Sequence, residues 1–159
     1  MKVLIISDTH ARDKNVEVVL EKEGNIDLLI HLGDVEGSEI YIETLADCPC
    51  EIVKGNNDYF SDLPSEKVLN IGKYKAFITH GHYYNVSVEL RTIVMEGIER
   101  EADIVMFGHI HRPVLEEMHG VTVLNPGSLS LPRQSNHKPS YMVMNIDNDD
   151  NITYEIKYL

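Results

Sequence analysis

A chain of 159 residues, 43% of them hydrophobic, has the length of one ordinary domain, so residues 1–159 are expected to fold around a core of their own. Its net charge of −12, from 26 acidic against 14 basic residues, opposes binding to long nucleic acid or an anionic membrane, since both need cations to displace counterions. No apolar stretch approaches the roughly 20 residues of a membrane span, nothing after Lys2 resembles a signal peptide, and Cys48 and Cys50, flanking Pro49, make no disulfide framework; a cytoplasmic protein is expected.

Lys2 to Ile6 is a short β-branched and apolar run that stops at Ser7-Asp8-Thr9-His10, and Val16, Val19 and Leu20 then recur at helical spacing. The pattern repeats. Asp27 to Leu32 reads as a buried strand, Gly33-Asp34-Val35 as its exit loop, Ser38 to Ala46 as a helix, and Glu51 to Lys54 as a third strand ending in Gly55-Asn56-Asn57-Asp58. Strands alternating with helices favour a mostly parallel sheet. Lys67 to Ile71 and Lys75 to Thr79 form a hairpin across Gly72-Lys73-Tyr74, after which Val86, Leu90, Ile93, Val94 and Ile98 trace one face of a long helix. The strand Ile104 to Phe107 ends in Gly108-His109-Ile110-His111. Val114 to Met118 pairs with Val121 to Leu124 across His119-Gly120, and Tyr141 to Ile146 with Ile152 to Tyr158, so the tail is antiparallel. The fold class expected is α/β, a four-layer αββα sandwich of two mixed β-sheets flanked by helices.

The polar residues Asp8, His10, Asp34, Asn56, His80, His109 and His111 each follow an apolar run, at the strand ends where loops of an α/β sheet converge on ligands. Asp, His and Asn offer the donors preferred by Mn, Fe, Ni or Zn, and no thiolate joins them. On an extended segment residues two apart share a side, so Asp8 with His10, and His109 with His111, can each serve one ion. Seven donors are too many for one tetrahedral site and suit two ions sharing a carboxylate. Structural roles suit His31, inside its strand, and His119 and His137. His82 is placed at the site mouth by its closeness to His80. Asp58 either caps the next segment or orients Asn57 or a ligand.

Taken in order, Ser7-Asp8-Thr9-His10, His31-Leu32-Gly33-Asp34, Gly55-Asn56-Asn57-Asp58, Thr79-His80-Gly81-His82, Gly108-His109-Ile110-His111 and Asn125-Pro126-Gly127-Ser128 resemble the blocks of the calcineurin-like metallophosphoesterases, in particular their short bacterial and archaeal phosphodiesterase branch. The resemblance implies two divalent transition-metal ions: Asp8, His10 and His111 on the first, Asn56, His80 and His109 on the second, Asp34 bridging, and in-line attack on phosphorus by a hydroxide between them. It also places Ser128 and Arg133 against the phosphate, with His82 in contact with substrate. Many members have a proton-donating His where this chain has Asn57, which donates a hydrogen bond and no proton. With Asn57 and Asp58 beside the reacting atoms, small phosphodiesters or nucleotide-like esters with good leaving groups are the expected substrates, a water or His82 supplying the proton. Ile110, where Thr is frequent, leaves the ligands intact. The alternatives are a phosphomonoesterase and a non-catalytic scaffold resembling a retromer subunit of the same fold; a homo-oligomer is compatible with either. A dinucleotide-binding domain is excluded, since no Gly-x-Gly-x-x-Gly turn follows Ile6.

Overall fold

The computed structural model describes all 159 residues. In chain order the elements are β1 (Lys2–Ile6), α1 (Lys14–Glu23), β2 (Leu28–His31), α2 (Glu39–Ala46), β3 (Cys50–Ile52), β4 (Glu66–Ile71), β5 (Tyr74–Thr79), α3 (Arg91–Glu99), β6 (Ile104–Met106), β7 (Pro113–Met118), β8 (Val121–Pro126), β9 (Ser140–Ile146) and β10 (Ile152–Tyr158). They build two five-stranded sheets, ordered β10-β9-β1-β2-β3 and β4-β5-β6-β8-β7.

Both sheets are mixed. In the first, β1, β2 and β3 run parallel while β9 and β10 are antiparallel; in the second, β5, β6 and β8 run parallel, with β4 and β7 antiparallel at the edges. Side chains alternate across each strand, and that alternation assigns the layers. Val3, Ile5 and Ile30 of the first sheet meet Ala76, Ile78, Ile104 and Met106 of the second in the central core. Leu4, Ile6 and Leu29 face the other way, onto Val16 and Val19 of α1 and Ile42 of α2. Phe77 and Val105 likewise face Ile93 and Val94 of α3. The expected αββα sandwich is the result, with its parallel strands buried on both faces and apolar through Val3–Ile6, Leu28–Ile30, Ala76–Ile78 and Ile104–Met106.

Three expectations are corrected. The long helix drawn from Val86 to Ile98 begins only at Arg91. Before it lies a 3-10 turn, His82–Tyr84, closed by Asn85 in the left-handed conformation, so Val86 reaches the α3 core from a turn. Asn, Ser and Val are weak helix formers, and packing of Val86 decides the matter there. Second, the two antiparallel pairs of the tail form as expected, but β8 also runs parallel to β6: β7 and β8 complete the second sheet, whereas β9 crosses to the first and lies beside β1, with Leu4 opposite Val143. Third, β2 ends at His31 and β3 begins at Cys50, which pairs with Leu29. No helix is long and apolar enough to cross a membrane.

Candidate metal centre

The exits of β1, β2, β3, β5 and β6 converge above the parallel edges of the two sheets. Asp8, His10, Asp34, His109 and His111 all adopt positive φ, between 49° and 70°. Each costs on the order of 1–3 kcal/mol for a residue with a Cβ. Cross-loop hydrogen bonds hold the strain: Asp8 N–H donates to Gly33 O (3.0 Å), His10 N–H to Asp34 O (2.9 Å) and the Asn125 amide to Gly108 O (2.6 Å). Asp8 and His10 thus converge through left-handed turns and not through the alternation of an extended strand, whereas His109, whose ring packs beside His80, parts from His111, which faces Asp8 and His10. Two glycines permit the close approach. A Cβ on Gly55 would stand 2.1 Å from Asp34 Oδ1, and one on Gly108 2.1 Å from Ser7 Oγ.

Two groups of donors result, Asp8, His10 and His111 in one and Asp8, Asp34 and His80 in the other, with the donor atoms of each group all within 4.8 Å of one another. His111 Nε2 lies 3.1 Å from Asp8 Oδ1 and 3.4 Å from His10 Nε2. His80 Nε2 lies 3.5 Å from Asp34 Oδ2 and 4.0 Å from Asp8 Oδ1, and Asn56 Oδ1 stands 3.1 Å from the same nitrogen. Asp34 Oδ2 is also 3.8 Å from His10 Nε2, between the two groups. His109 is half-buried, its ring centroid 5.2 Å from that of His80.

The outer nitrogens explain why the inner ones face inward. His80 Nδ1 meets Leu32 O, His111 Nδ1 meets Leu131 O and His10 Nδ1 meets Glu36 Oε1, each at 2.7 Å. A carbonyl only accepts, so Nδ1 of His80 and of His111 carries the proton, and Nε2 is the nitrogen left free to ligate. Asp8 Oδ1 is buried and takes no hydrogen bond, although a buried anion is expensive unless paired. Burial opposes the charge on Asp8, but the facing imidazoles of His111 and His80 outweigh it and lower the carboxyl pKa; burial likewise opposes protonation of His111, but a second proton, on Nε2, would be held by Asp8 Oδ1, which raises the His111 pKa. Two buried carboxylates and inward-facing imidazole nitrogens, with one oxygen lacking any donor, fit divalent transition-metal ions.

The remaining expected residues separate into two sets. His82 and Arg133 border the centre. The His82 ring is 5.4 Å from His80 and 6.2 Å from His109, and burial, then His80 and His109, push its pKa down to about 4. It is therefore neutral at pH 7 and poorly matched to the proton-donor role expected of it. Arg133 is exposed, its backbone N–H on His111 O (2.9 Å) and its charge near enough to disfavour protonation of His111.

Asn57, which is half-buried, and Asp58 and Ser128, which are buried, hydrogen-bond to the candidate ligands or their backbone. Asn57 donates from Nδ2 to Asp34 Oδ2 (2.6 Å) and from its backbone to Asp34 Oδ1 (2.8 Å). Asp58 accepts from the backbone N–H of Asp34 (2.8 Å), Gly55 (2.7 Å) and Glu36 (2.6 Å), which ties the β2 and β3 exits together and occupies most of its carboxylate's acceptor capacity. The Ser128 hydroxyl donates to Asp8 O and accepts from the N–H of Ser130 and of Leu131. Asp58 thus sits where one of its two expected roles, orienting a ligand, would place it, and the Ser128 hydroxyl is engaged by backbone.

Sequence reasoning missed Glu36, Ser7 and Ser130. Glu36 orients His10, Ser7 Oγ donates to Asp8 Oδ2 (2.6 Å) and Ser130 Oγ donates to Asp8 O (2.9 Å). Only Ser7 carried a signal, as the neighbour of Asp8. His31 has the structural role expected: Nδ1 accepts the Gly33 N–H, Nε2 meets Thr9 Oγ1, and burial pushes its pKa down to about 4.

Residues 1–149 match the model of the calcineurin-like phosphoesterase superfamily domain. The probable metallophosphoesterase YsnB of Bacillus subtilis is 36% identical over 150 residues, which cover 94% of this chain and 86% of that protein. The phosphodiesterase MJ0936 of Methanocaldococcus jannaschii is 32% identical over 145 residues, covering 80% and 83%. Among solved structures, a single-mutant Vps29 from Entamoeba histolytica superposes with a TM-score of 0.80 at 27% identity, covering 100% and 99% of the two chains.

Proposed function

Since the chain belongs to the calcineurin-like phosphoesterase superfamily, a family of metal-dependent phosphoesterases, we propose that it is a two-metal phosphodiesterase acting in the cytoplasm on a small diester. Asp8, His10 and His111 would hold one ion, Asn56, His80 and His109 the other, with Asp34 shared. The observation that carries this is the buried, donorless Asp8 Oδ1 where the two ligand groups intersect, and Asp34 Oδ2, 3.5 Å from His80 Nε2 and 3.8 Å from His10 Nε2, supports its sharing. When bound, such ions supply Lewis acidity, neutralising phosphoryl oxygens and lowering the pKa of water.

The chain's own residues do the rest. Leu32 O, Leu131 O and Glu36 fix the three imidazoles, while Asn57 and Asp58 fix Asp34, so the donor set is organised before substrate arrives. Arg133 at the rim is free to fork onto a phosphate oxygen. Nothing at the mouth is a protonated acid at pH 7: Asn57 is an amide, and His82 is held neutral. Esters whose alcohol leaves without a proton are favoured, and the likeness to a named phosphodiesterase supports the same order.

The test compares an aryl phosphodiester with the corresponding monoester under added Mn or Ni. Faster diester hydrolysis is expected, and a diester rate no better than the monoester rate would overturn the assignment. The likeness to Vps29 favours one second reading, an interaction scaffold. Bound metal without hydrolysis of any phosphate ester would support it.

A further inference from the structure

A recess of about 520 Å³ opens beside the metal centre, lined by Glu36, Glu39, Asn57, Tyr59 and Phe60 among others. Two of these residues tie it to the chemistry: Asn57 is 2.6 Å from Asp34 and Glu36 is 2.7 Å from His10. Its volume lies in the range of small-molecule sites. Resting on the phosphodiesterase assignment, we propose that this recess holds one ester arm of the substrate, and that the arm is a nucleoside whose base stacks on Phe60 and Tyr59 and donates hydrogen bonds to Glu39.

Three features select that arm. First, Phe60 is fully exposed and Tyr59 is 75% exposed, side by side, an apolar expense that contributes nothing to the core. Both follow directly on Asp58, whose carboxylate is fastened by three backbone N–H groups, so the aromatic pair projects from a fixed base. Second, no Lys or Arg lines the recess, whereas Glu36 and Glu39 do, so a second phosphate or other anionic group is repelled. Third, carboxylates accept from the exocyclic amines and ring N–H groups of nucleobases, and an aromatic face supplies the stacking surface. An aliphatic arm would use neither feature.

The experiment uses two synthetic diesters with the same 4-nitrophenolate leaving group, one bearing guanosine through its 5′ oxygen and the other a methyl group. The wild-type chain with Mn is expected to favour the nucleoside ester in kcat/KM by about tenfold, the scale of one base stacked on one aromatic side chain. In Phe60→Ala, a substitution at a wholly exposed position, that preference is expected to fall below about twofold, mainly through KM. Equal rates on the two diesters in the wild type, or a preference unchanged in Phe60→Ala, would overturn the proposal while leaving diesterase activity intact. If neither diester is hydrolysed, the phosphodiesterase assignment fails instead, and calorimetry with guanosine 5′-monophosphate decides the recess: weaker binding in Phe60→Ala than in the wild type supports it, and no binding or equal binding overturns it. A concentration-dependent dimer lost in Phe60→Ala, with no nucleoside preference, would assign the aromatic pair to a second copy of the chain and also overturn it.

Discussion

Replacing Asp58 with Asn or Ala tests whether this buried carboxylate positions the centre or takes part in its chemistry. The side chain receives three backbone N–H groups at 2.6 to 2.8 Å, and Asp58 is only 3% exposed. A hydrogen bond to a charged group contributes about 1.5–3 kcal/mol, and such bonds sharing one acceptor do not add in full. Asp58→Ala strands all three donors and is expected to cost about 4 kcal/mol, a large part of the roughly 5–15 kcal/mol that holds a domain folded. Asp58→Asn keeps one oxygen and sets an NH₂ group against a donor, for about 2 kcal/mol. Urea unfolding measures both. Because Asp58 fixes the Asp34 and Gly55 backbones, Mn affinity in Asp58→Asn is expected to fall by about tenfold, the usual effect of losing support behind a ligand. The pH–rate profile should keep its shape. Unchanged stability together with loss of one limb of that profile would refute the positioning role and restore Asp58 to the reaction itself.

Gly55→Ala would drive a Cβ to within 2.4 Å of both Asp34 N and Asp34 Oδ1, so it is expected to lower stability by about 3 kcal/mol and to abolish Mn binding at the shared carboxylate, measured by urea unfolding and calorimetry. Glu36→Gln removes the charge that orients His10 Nδ1; calorimetry should show roughly a tenfold weaker first ion, with little change in thermal midpoint because Glu36 is exposed. At Glu23, burial opposes ionisation but Lys2, Tyr141 and Lys157 prevail, pulling the carboxyl from 4.5 down to about 2. A depressed folded pKa stabilises above the unfolded value and loses that stabilisation as pH falls through the folded one. Glu23→Gln should therefore be less stable than wild type at pH 7, and its loss of stability between pH 4.5 and 2 should be shallower in acid unfolding.

The layers and the strand-end placement of the candidate ligands were legible because both depend on local pattern. Apolar runs ending in Asp, His or Asn mark parallel strands and what their ends carry, and all seven expected metal ligands lie on the loops at the parallel edges. What stayed hidden depends on partners remote in sequence. Ser128 and Arg133 look alike as residues beside a turn, yet Ser128 is bound to the carbonyl of Asp8, 120 positions away, while Arg133 faces solvent. Asp58 meets Asp34 across 24 positions, and only the loop packing that excludes a Cβ at Gly55 shows why. Left-handed Asp and His residues carry no sequence mark, so the true route by which Asp8 meets His10 could not be read. Nor could the break before α3, where burial of Val86 overrides a helical period.

Metal stoichiometry measured together with hydrolysis tests the central claim most directly. Chelator-stripped protein titrated with Mn should bind two ions per chain, with aryl-diester hydrolysis rising as the second is bound, and Asp34→Asn should lose both affinity and rate. Full activity in Asp34→Asn, or full hydrolysis with a single ion bound, would contradict the two-metal account.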